Sequence, residues 1–199
     1  MIKDALRQQF LAERKKLPPD ILQSKNQAIT AHFLQYFDLT QINNLHIFLP
    51  ILQRNEINTY LIIQAIQQNY PHITIIVSKS NFHTCEMSHF VLTPTTVLIE
   101  NKWHIPEPIN GQSFPEKLIE MVLLPLICFD QQGFRVGYGK GFYDRFLARC
   151  THKITKVGLS HFPPIDKIDD IHKLDVKMDF CVTTETVWTF QTEFQVSHF

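Results

Sequence analysis

Residues 121–150 have the sequence "MVLLPLICFDQQGFRVGYGKGFYDRFLARC". An apolar run of strand length comes first, a loop with four of the chain's six glycines follows, and a segment with helical periodicity ends the stretch. A strand, a glycine loop and a helix in this order direct backbone N–H groups and a helix N-terminus towards an anion. The stretch therefore predicts an α/β protein with an anion site.

Positive side chains lie among these glycines. They are Arg135, Lys140 and Arg145. Alternate glycines from Gly137 to Gly141 permit positive φ angles and close approach of the backbone, and the cations match several phosphate oxygens. A triphosphate suits this loop better than a single phosphate. The loop has neither the Rossmann nor the Walker pattern, since Gly141 follows Lys140, and a glycine-rich turn with solvated cations is the alternative.

Asp144 lies in the first turn of the helix that follows the loop. At about 100° per residue it points away from the apolar side of that helix while staying close to the glycines. A carboxylate in this place would favour the helix N-terminus through the macrodipole. Alternatively it would bind magnesium, which takes one or two carboxylates together with substrate phosphates.

Segments outside this stretch alternate between helical and strand patterns. Residues 2–16 predict an amphipathic helix that Pro18 and Pro19 end, and a second helix is expected from Asp20 as its N-cap. The apolar side of this second helix consists of Ile21, Ala28, Ile29, Phe33 and Phe37.

Short apolar runs predict the strands. They lie at residues 45–50, 73–77, 121–129, 154–159 and 180–184, and a helix at 59–69 separates the first two. This order predicts a sheet with helices on both faces and a ligand site at the carboxyl ends of the strands. Residues 78–108 predict one or two further strands with an extended loop. The aromatic tail from Val187 is expected to pack on the domain or to form an interface.

Composition excludes several classes of function. Lysine plus arginine and aspartate plus glutamate number 19 each, so no general positive field would attract nucleic acid, despite the basic segment at Arg14 to Lys16. The four cysteines form no C-x-x-C pair, which argues against a zinc site and fits a reducing compartment. The N-terminal residues lack a signal-peptide pattern and the longest apolar run is too short for a bilayer. We therefore expect a cytoplasmic protein without membrane or nucleic-acid partners.

The stretch "LPLICFDQQGFRVGYGKGFYDRFL", with "EINT" at Glu56 to Thr59 and "WHIPEP" from Trp103, resembles the 5-formyltetrahydrofolate cyclo-ligase (methenyltetrahydrofolate synthetase) family. The resemblance covers nearly the whole chain. It implies one three-layer α/β/α domain over residues 1–199, with a largely parallel or mixed central sheet. It also implies an enzyme, expected to be a monomer, that converts 5-formyltetrahydrofolate into 5,10-methenyltetrahydrofolate with ATP and Mg²⁺, releasing ADP and phosphate.

The resemblance also implies a mechanism. The formyl oxygen attacks the γ-phosphate of ATP, and nitrogen-10 then attacks the activated carbon and expels phosphate. Lys140 and Arg135 match the catalytic cations of the family, which stabilise charge on the phosphoryl oxygens. The implied ATP contacts are Lys3, Arg7, Arg135, Val136, Gly137, Tyr138, Gly139, Lys140, Gly141, Phe142 and Tyr143. Without the resemblance, Lys3 and Arg7 would be interpreted as a solvated helix face.

Folate and metal contacts follow from the same resemblance. The implied folate contacts are Glu56, Leu49, Trp103 and Tyr143, and the implied magnesium ligands are Asp144 and Asp175. A carboxylate at Glu56 can accept hydrogen bonds from the N–H donors of a pterin, and the indole of Trp103 can lie against a substrate ring. On residue pattern alone, Asp175 and Glu56 could equally be solvated acids, and Trp103 could be a core residue.

Two positions depart from the family pattern. Leu126 in "PLICFD" replaces the usual glycine of "PGLAFD", which affects only packing at the strand end. The segment from Leu49 to Glu56 is longer than usual by about two residues, which could displace Glu56 or reshape the folate pocket. The alternative function is therefore an ATP-binding relative of the same fold that acts on another substrate or is not catalytic.

Overall fold

Five parallel strands form the centre of the protein in a computed structural model, which describes residues 1–190. They are β1 (Asn44–His46), β2 (Thr74–Asn81), β6 (Met121–Leu124), β9 (Thr155–Leu159) and β10 (Phe180–Val182). Antiparallel strands β3 (Glu86–Val91) and β11 (Val187–Thr189) flank them, so the sheet order is β11-β10-β9-β6-β1-β2-β3. Two separate strand pairs complete the set: β4 (Leu98–Glu100) with β5 (Pro106–Pro108), and β7 (Cys128–Phe129) with β8 (Arg135–Val136).

Helices cover both faces of the sheet. The helices are α1 (Lys3–Lys15), α2 (Pro19–Tyr36), α3 (Tyr60–Asn69) and α4 (Phe142–Arg149). Alternate residues of β6 face opposite sides: Leu123 packs with α2 and α3, whereas Val122 packs with Phe146 of α4. This alternation is the period of two that a strand imposes on its side chains. The three-layer α/β/α prediction with a mixed sheet is therefore confirmed.

The first helix packs on the β7–β8 hairpin through Leu6 and Phe10. As predicted, α1 ends shortly before the two prolines. The second helix begins two residues earlier than expected, at Pro19 with Pro18 as its N-cap, because the fixed φ of proline suits the first helical position. Asp20 is therefore in the first turn, and the prediction that it is the N-cap was wrong. Ile21 is 43% exposed, so the apolar side of α2 starts later than predicted.

The apolar run at 121–129 is two strands and not one. Strand β6 ends at Leu124, and Pro125, which has no N–H for a ladder, separates it from β7. Strand β7 pairs with β8 outside the main sheet, so a hairpin leads into the glycine loop. This hairpin places the loop beyond the carboxyl ends of the parallel strands, where ligands bind in such sheets.

Regions with weak sequence patterns hold more strands than expected. Residues 78–108 contain the end of β2 and all of β3, β4 and β5. Strand β3 pairs with the polar extension of β2. Of the two alternatives for the tail, its first residues follow packing on the domain, since β11 pairs with β10 at the sheet edge. The part of the tail from residue 191 lies outside the described residues.

Candidate functional site

The glycine loop, residues 137–141, contains two kinds of glycine: two adopt positive φ angles, and a third leaves open space beside the backbone. Gly139 has φ +88° and Gly141, the N-cap of α4, has φ +67°, a left-handed conformation that side chains with a Cβ rarely adopt. Gly137 has no such angle, and a Cβ built on it would meet nothing within 4 Å. The protein itself therefore gives no reason for a glycine at position 137, and the open space beside it suits a ligand that approaches the backbone.

Two of the four cations of the first helix, Lys3 and Arg7, make contacts at or near this loop. Nε of Arg7 donates to the Gly137 carbonyl oxygen at 2.9 Å, and Nζ of Lys3 forms an ion pair with Asp175. Their side chains are only 22% and 18% exposed, so neither belongs to a solvated helix face. The fold thus brings Lys3, Arg7 and Asp175 together beside the glycines.

Arg135 lies beneath the loop in a buried ion pair. Its side chain is 5% exposed, and Nη2 donates to Oδ1 of Asp144 at 2.9 Å. Nη1 donates to the Val176 carbonyl oxygen at 2.7 Å, while the Val176 N–H donates to the same Asp144 oxygen at 3.0 Å. Asp144 is therefore fixed by specific partners as well as placed in the first turn of α4. Asp175 is the neighbour of Val176, so the two aspartates lie close together.

The two carboxylates fit a magnesium ion that also binds phosphate. Hydrogen bonds within residues 1–190 engage Oδ1 of Asp144 and Oδ2 of Asp175, and none of them engages the second oxygen of either group. The same part of the chain has no cluster of three or more His, Cys, Asp or Glu side chains that could enclose a metal. A cation here would need phosphate and water oxygens as further ligands, which is the coordination magnesium prefers.

Lys140 is exposed and faces a cavity of about 530 Å³. Its backbone carbonyl accepts a 2.7 Å hydrogen bond from Nη1 of Arg145, and its ammonium group forms no ion pair within the described part of the chain. Unlike Arg135, it can therefore contact an anion without losing a protein partner.

Trp103 lines the same cavity on the opposite side. Its ring stacks on Phe82 with centroids 3.4 Å apart, and Phe82 meets Phe142 at the start of α4 edge-on at 5.0 Å. Nζ of Lys102 lies 4.3 Å from the Trp103 ring centroid, and Lys79 also lines the cavity. Aromatic faces and ammonium groups thus share one opening.

Glu56 is 5% exposed at the other end of the loop. Its Oε2 accepts a 2.7 Å hydrogen bond from the Ile51 N–H, and its Oε1 accepts one from the hydroxyl of Tyr138. Burial raises the pKa of Glu56, while these hydrogen bonds oppose the shift. The longer segment before it forms a 3-10 turn at Leu52–Arg54 and a left-handed residue, Asn55 with φ +51°, which return the chain to the loop.

Tyr143 and Leu49 complete the set of predicted folate residues. Burial raises the pKa of the Tyr143 hydroxyl, and the Ser78 side chain on β2 partly opposes this shift. The Tyr143 ring lies 5.8 Å from that of His46, on β1. Leu49 is 7% exposed and belongs to the main core, so little of its side chain is open to a ligand.

Comparison with known proteins gives a family match over residues 1–183, to the model described as the 5-formyltetrahydrofolate cyclo-ligase family. The chain belongs to this family. Cyclo-ligases are enzymes of the ligase class, so both the predicted family and the predicted class of protein are confirmed.

Individual relatives agree with this membership. The 5-formyltetrahydrofolate cyclo-ligase of Escherichia coli (strain K12) is 25% identical over 178 residues, which cover 88% of this chain and 96% of the relative. That of Haemophilus influenzae is 28% identical over 166 residues, covering 78% and 85%. The solution structure of 5,10-methenyltetrahydrofolate synthetase from Aquifex aeolicus has a TM-score of 0.82 at 22% identity, over 100% of this chain and 97% of that one, which shows the same fold.

This cyclo-ligase-family chain has site residues that sequence reasoning missed. Arg14 is 4% exposed, and its Nη2 donates to the Tyr138 hydroxyl at 2.6 Å. One signal could have identified it, since Arg14 follows Leu6 and Phe10 at four-residue spacing on the buried side of α1. Phe82, Lys79 and Lys102 gave no such signal, because they lie in the weakly patterned region.

Across residues 1–190, the helices are all too short or too polar to cross a bilayer.

Proposed function

We propose that this protein converts 5-formyltetrahydrofolate into 5,10-methenyltetrahydrofolate at the expense of ATP. The observation that carries the proposal is the glycine loop itself, where Arg7 donates to the Gly137 carbonyl oxygen, Lys140 is exposed towards a cavity, and Gly137 leaves open space for a ligand. We further propose that residues 1–199 act as one cytoplasmic, monomeric domain on small-molecule substrates.

The nucleotide would lie along the loop with its phosphates at the N-terminus of α4. Backbone N–H groups from Gly137 to Gly141 would bind phosphate oxygens, since glycines permit this close approach. Lys3 and Arg7 would reach the same phosphates from α1, and Lys140 would reach them from the cavity side. The proposed set of nucleotide contacts is otherwise the one implied by the family resemblance: Arg135, Val136, Tyr138, Phe142 and Tyr143.

Asp144 and Asp175 would hold the magnesium ion. When bound, the ion would neutralise charge on the phosphate oxygens and orient them. Arg135 and Lys3, which now pair with these carboxylates, would be set free to contact the phosphates. The buried position of Arg135 thus suits a cation that supports the phosphoryl group from beneath the loop.

The folate would span the distance from Glu56 to the cavity beside Lys140. Glu56 would accept hydrogen bonds from pterin N–H groups beside Leu49, while Tyr143 and Trp103 would contact the rings. Lys79 and Lys102, at the open cavity, would attract the glutamate carboxylates of the substrate.

The chemistry would follow from this placement. The formyl oxygen would attack the γ-phosphorus of ATP, forming an O–P bond while the bond to ADP breaks. Nitrogen-10 would then attack the formyl carbon and lose its proton, and the C–O bond would break to release phosphate. Lys140 would stabilise the charge on the transferred phosphoryl oxygens, so the protein need supply no covalent nucleophile.

Near-ultraviolet absorbance of the methenyl product tests this proposal. Purified protein with 5-formyltetrahydrofolate, magnesium and ATP should form the product, and omission of either ATP or magnesium should abolish the signal. Nucleotide binding without product, at any substrate concentration, would overturn the proposal and favour a relative acting on another substrate. Lys117→Ala, at an exposed lysine outside the proposed site, serves as the control for the Lys140→Ala variant.

A further inference from the structure

Tyr138 connects the two halves of the proposed site. It lies between Gly137 and Gly139 on the glycine loop, and its hydroxyl donates to Oε1 of Glu56, 82 residues away in the chain. The same hydroxyl accepts a 2.6 Å hydrogen bond from Nη2 of Arg14. A side chain of the nucleotide loop is therefore bound directly to the carboxylate proposed for the pterin.

This contact covers Glu56. One carboxylate oxygen accepts from the Ile51 N–H and the other from Tyr138, and only 5% of the residue is exposed. Guanidinium carbons of Arg14 and Arg54 each lie 5.8 Å from the Tyr138 ring centroid. Because Glu56 is so deeply buried, displacement of the Tyr138 hydroxyl would open its Oε1 to a pterin N–H, although a carboxylate oxygen can accept two hydrogen bonds.

The loop has the freedom for such a movement. Tyr138 has a glycine on each side, and the space around Gly137 is open, so a small rotation of the backbone would carry the tyrosine away. A nucleotide that binds the N–H groups of the loop changes the same backbone. Binding at one site must then alter the other, since linkage between two ligands is reciprocal.

We propose that Tyr138 is a positioning residue that couples the two substrates: nucleotide binding at the glycine loop withdraws its hydroxyl from Glu56 and so opens the carboxylate to the pterin. The inference rests on the proposed function. It explains how the enzyme would favour folate binding when ATP is already present, and thus bring both reactants together.

Isothermal titration measures this coupling. The affinity for 5-formyltetrahydrofolate is determined with and without a saturating non-hydrolysable ATP analogue and magnesium, for the wild type and for Tyr138→Phe. In the wild type the analogue should tighten folate binding by roughly 5- to 150-fold, the usual range of such couplings. In Tyr138→Phe, folate alone should bind more tightly than to the wild type, and the ratio should approach one. Tyr36→Phe, an exposed tyrosine on α2, should keep the wild-type ratio.

Two further measurements distinguish a loss of coupling from misfolding of the Tyr138→Phe variant. Folate should tighten binding of the analogue to the wild type by the same factor, and Arg14→Lys, which loosens the hydroxyl, should reduce that factor. A wild-type ratio of one, or an unchanged ratio in Tyr138→Phe, would overturn the coupling while leaving the proposed function intact. Failure of the wild type to bind folate under any condition would overturn the proposed function, and this inference with it.

Discussion

Nη2 of Arg135 and Oδ1 of Asp144 form a 2.9 Å ion pair beneath the glycine loop, where Arg135 is 5% exposed. Lys140, five residues further along the chain, is exposed and faces the cavity. The two proposed catalytic cations therefore differ in their contribution to the stability of the fold. Arg135 stabilises the fold through its ion pair, whereas the exposed side chain of Lys140 does not.

Replacement of Lys140 by alanine should reduce turnover without affecting stability. Loss of one group that stabilises transition-state charge typically lowers kcat by about 10²- to 10³-fold. Folate affinity should change little, because the ammonium group serves the phosphoryl oxygens. Steady-state kinetics and thermal unfolding of the variant check this expectation, and a clear fall in the unfolding temperature would contradict it.

Replacement of Arg135 by alanine should reduce both turnover and stability. It leaves Asp144 without its ion-pair partner and removes a donor from the Val176 carbonyl. We expect the free energy of unfolding to fall by about 2–3 kcal/mol, less than for a fully buried pair, since the Asp144 side chain is 26% exposed. Urea unfolding measures the change. A variant as stable as the wild type would disprove the structural role of Arg135.

Replacement of Gly137 by alanine should affect the nucleotide and not the fold. A Cβ there meets nothing within 4 Å and needs no unusual backbone angle, so the free energy of unfolding should stay the same or rise by about 0.4–1 kcal/mol. The KM for ATP should rise, because the added methyl group occupies space left for the phosphates.

Gly158→Ala is the matched control for this experiment. Its Cβ would lie 2.4 Å from the Met178 sulfur and 2.7 Å from Leu126, so this variant should unfold more easily. Unchanged ATP kinetics in a stable Gly137→Ala protein would refute the proposed position of the phosphates.

Buried histidines should make the protein less stable in acid. Burial lowers the pKa of His89 to about 4, even with Glu116 at 3.5 Å; its other neighbours include Arg149 and the equally buried His46. Between the unfolded pKa of about 6.5 and the folded value of about 4, the unfolded chain binds more protons, so stability falls as the pH falls.

Urea unfolding between pH 7 and pH 4.5 tests this dependence. The His89→Leu variant should lose less stability over that range than the wild type, because it has no imidazole to protonate on unfolding. His83→Gln, at an exposed position, should retain the wild-type slope. Parallel slopes for the wild type and His89→Leu would show that His89 does not titrate on unfolding.

Local patterns predicted the parts of the fold that depend on local chemistry. Apolar runs located the five parallel strands, and the glycine stretch located the turn into α4. The apolar run interrupted by Pro125 was the exception, because hydrophobicity alone does not show where the hydrogen bonds of a strand end. A proline within a run does indicate such an end. Strands β3, β4 and β5 were harder to predict because their residues pair at the polar edge of the sheet or outside it.

Local sequence patterns could not predict the long-range contacts. A helical wheel places Lys3 and Arg7 on the edge of α1, and only the family resemblance connected them with the glycine loop. The contact between Tyr138 and Glu56 joins segments 82 residues apart, and nothing in either segment specifies the other. Pairings of this kind arise from the tertiary fold, since many sheet orders are compatible with the same run of strands.

The ion pair between Lys3 and Asp175 joins residues 172 positions apart in the chain. At a typical synthesis rate of about 5–20 residues per second, the ribosome would need roughly 10–35 s to make the second partner after the first. During that interval Lys3 lacks Asp175, and the apolar side of the first helix stays uncovered until the β7–β8 hairpin, which contains Cys128 and Val136, has been made. We therefore expect nascent chains shorter than this span to depend on chaperones, and the nucleotide site to be among the last parts of the molecule to form.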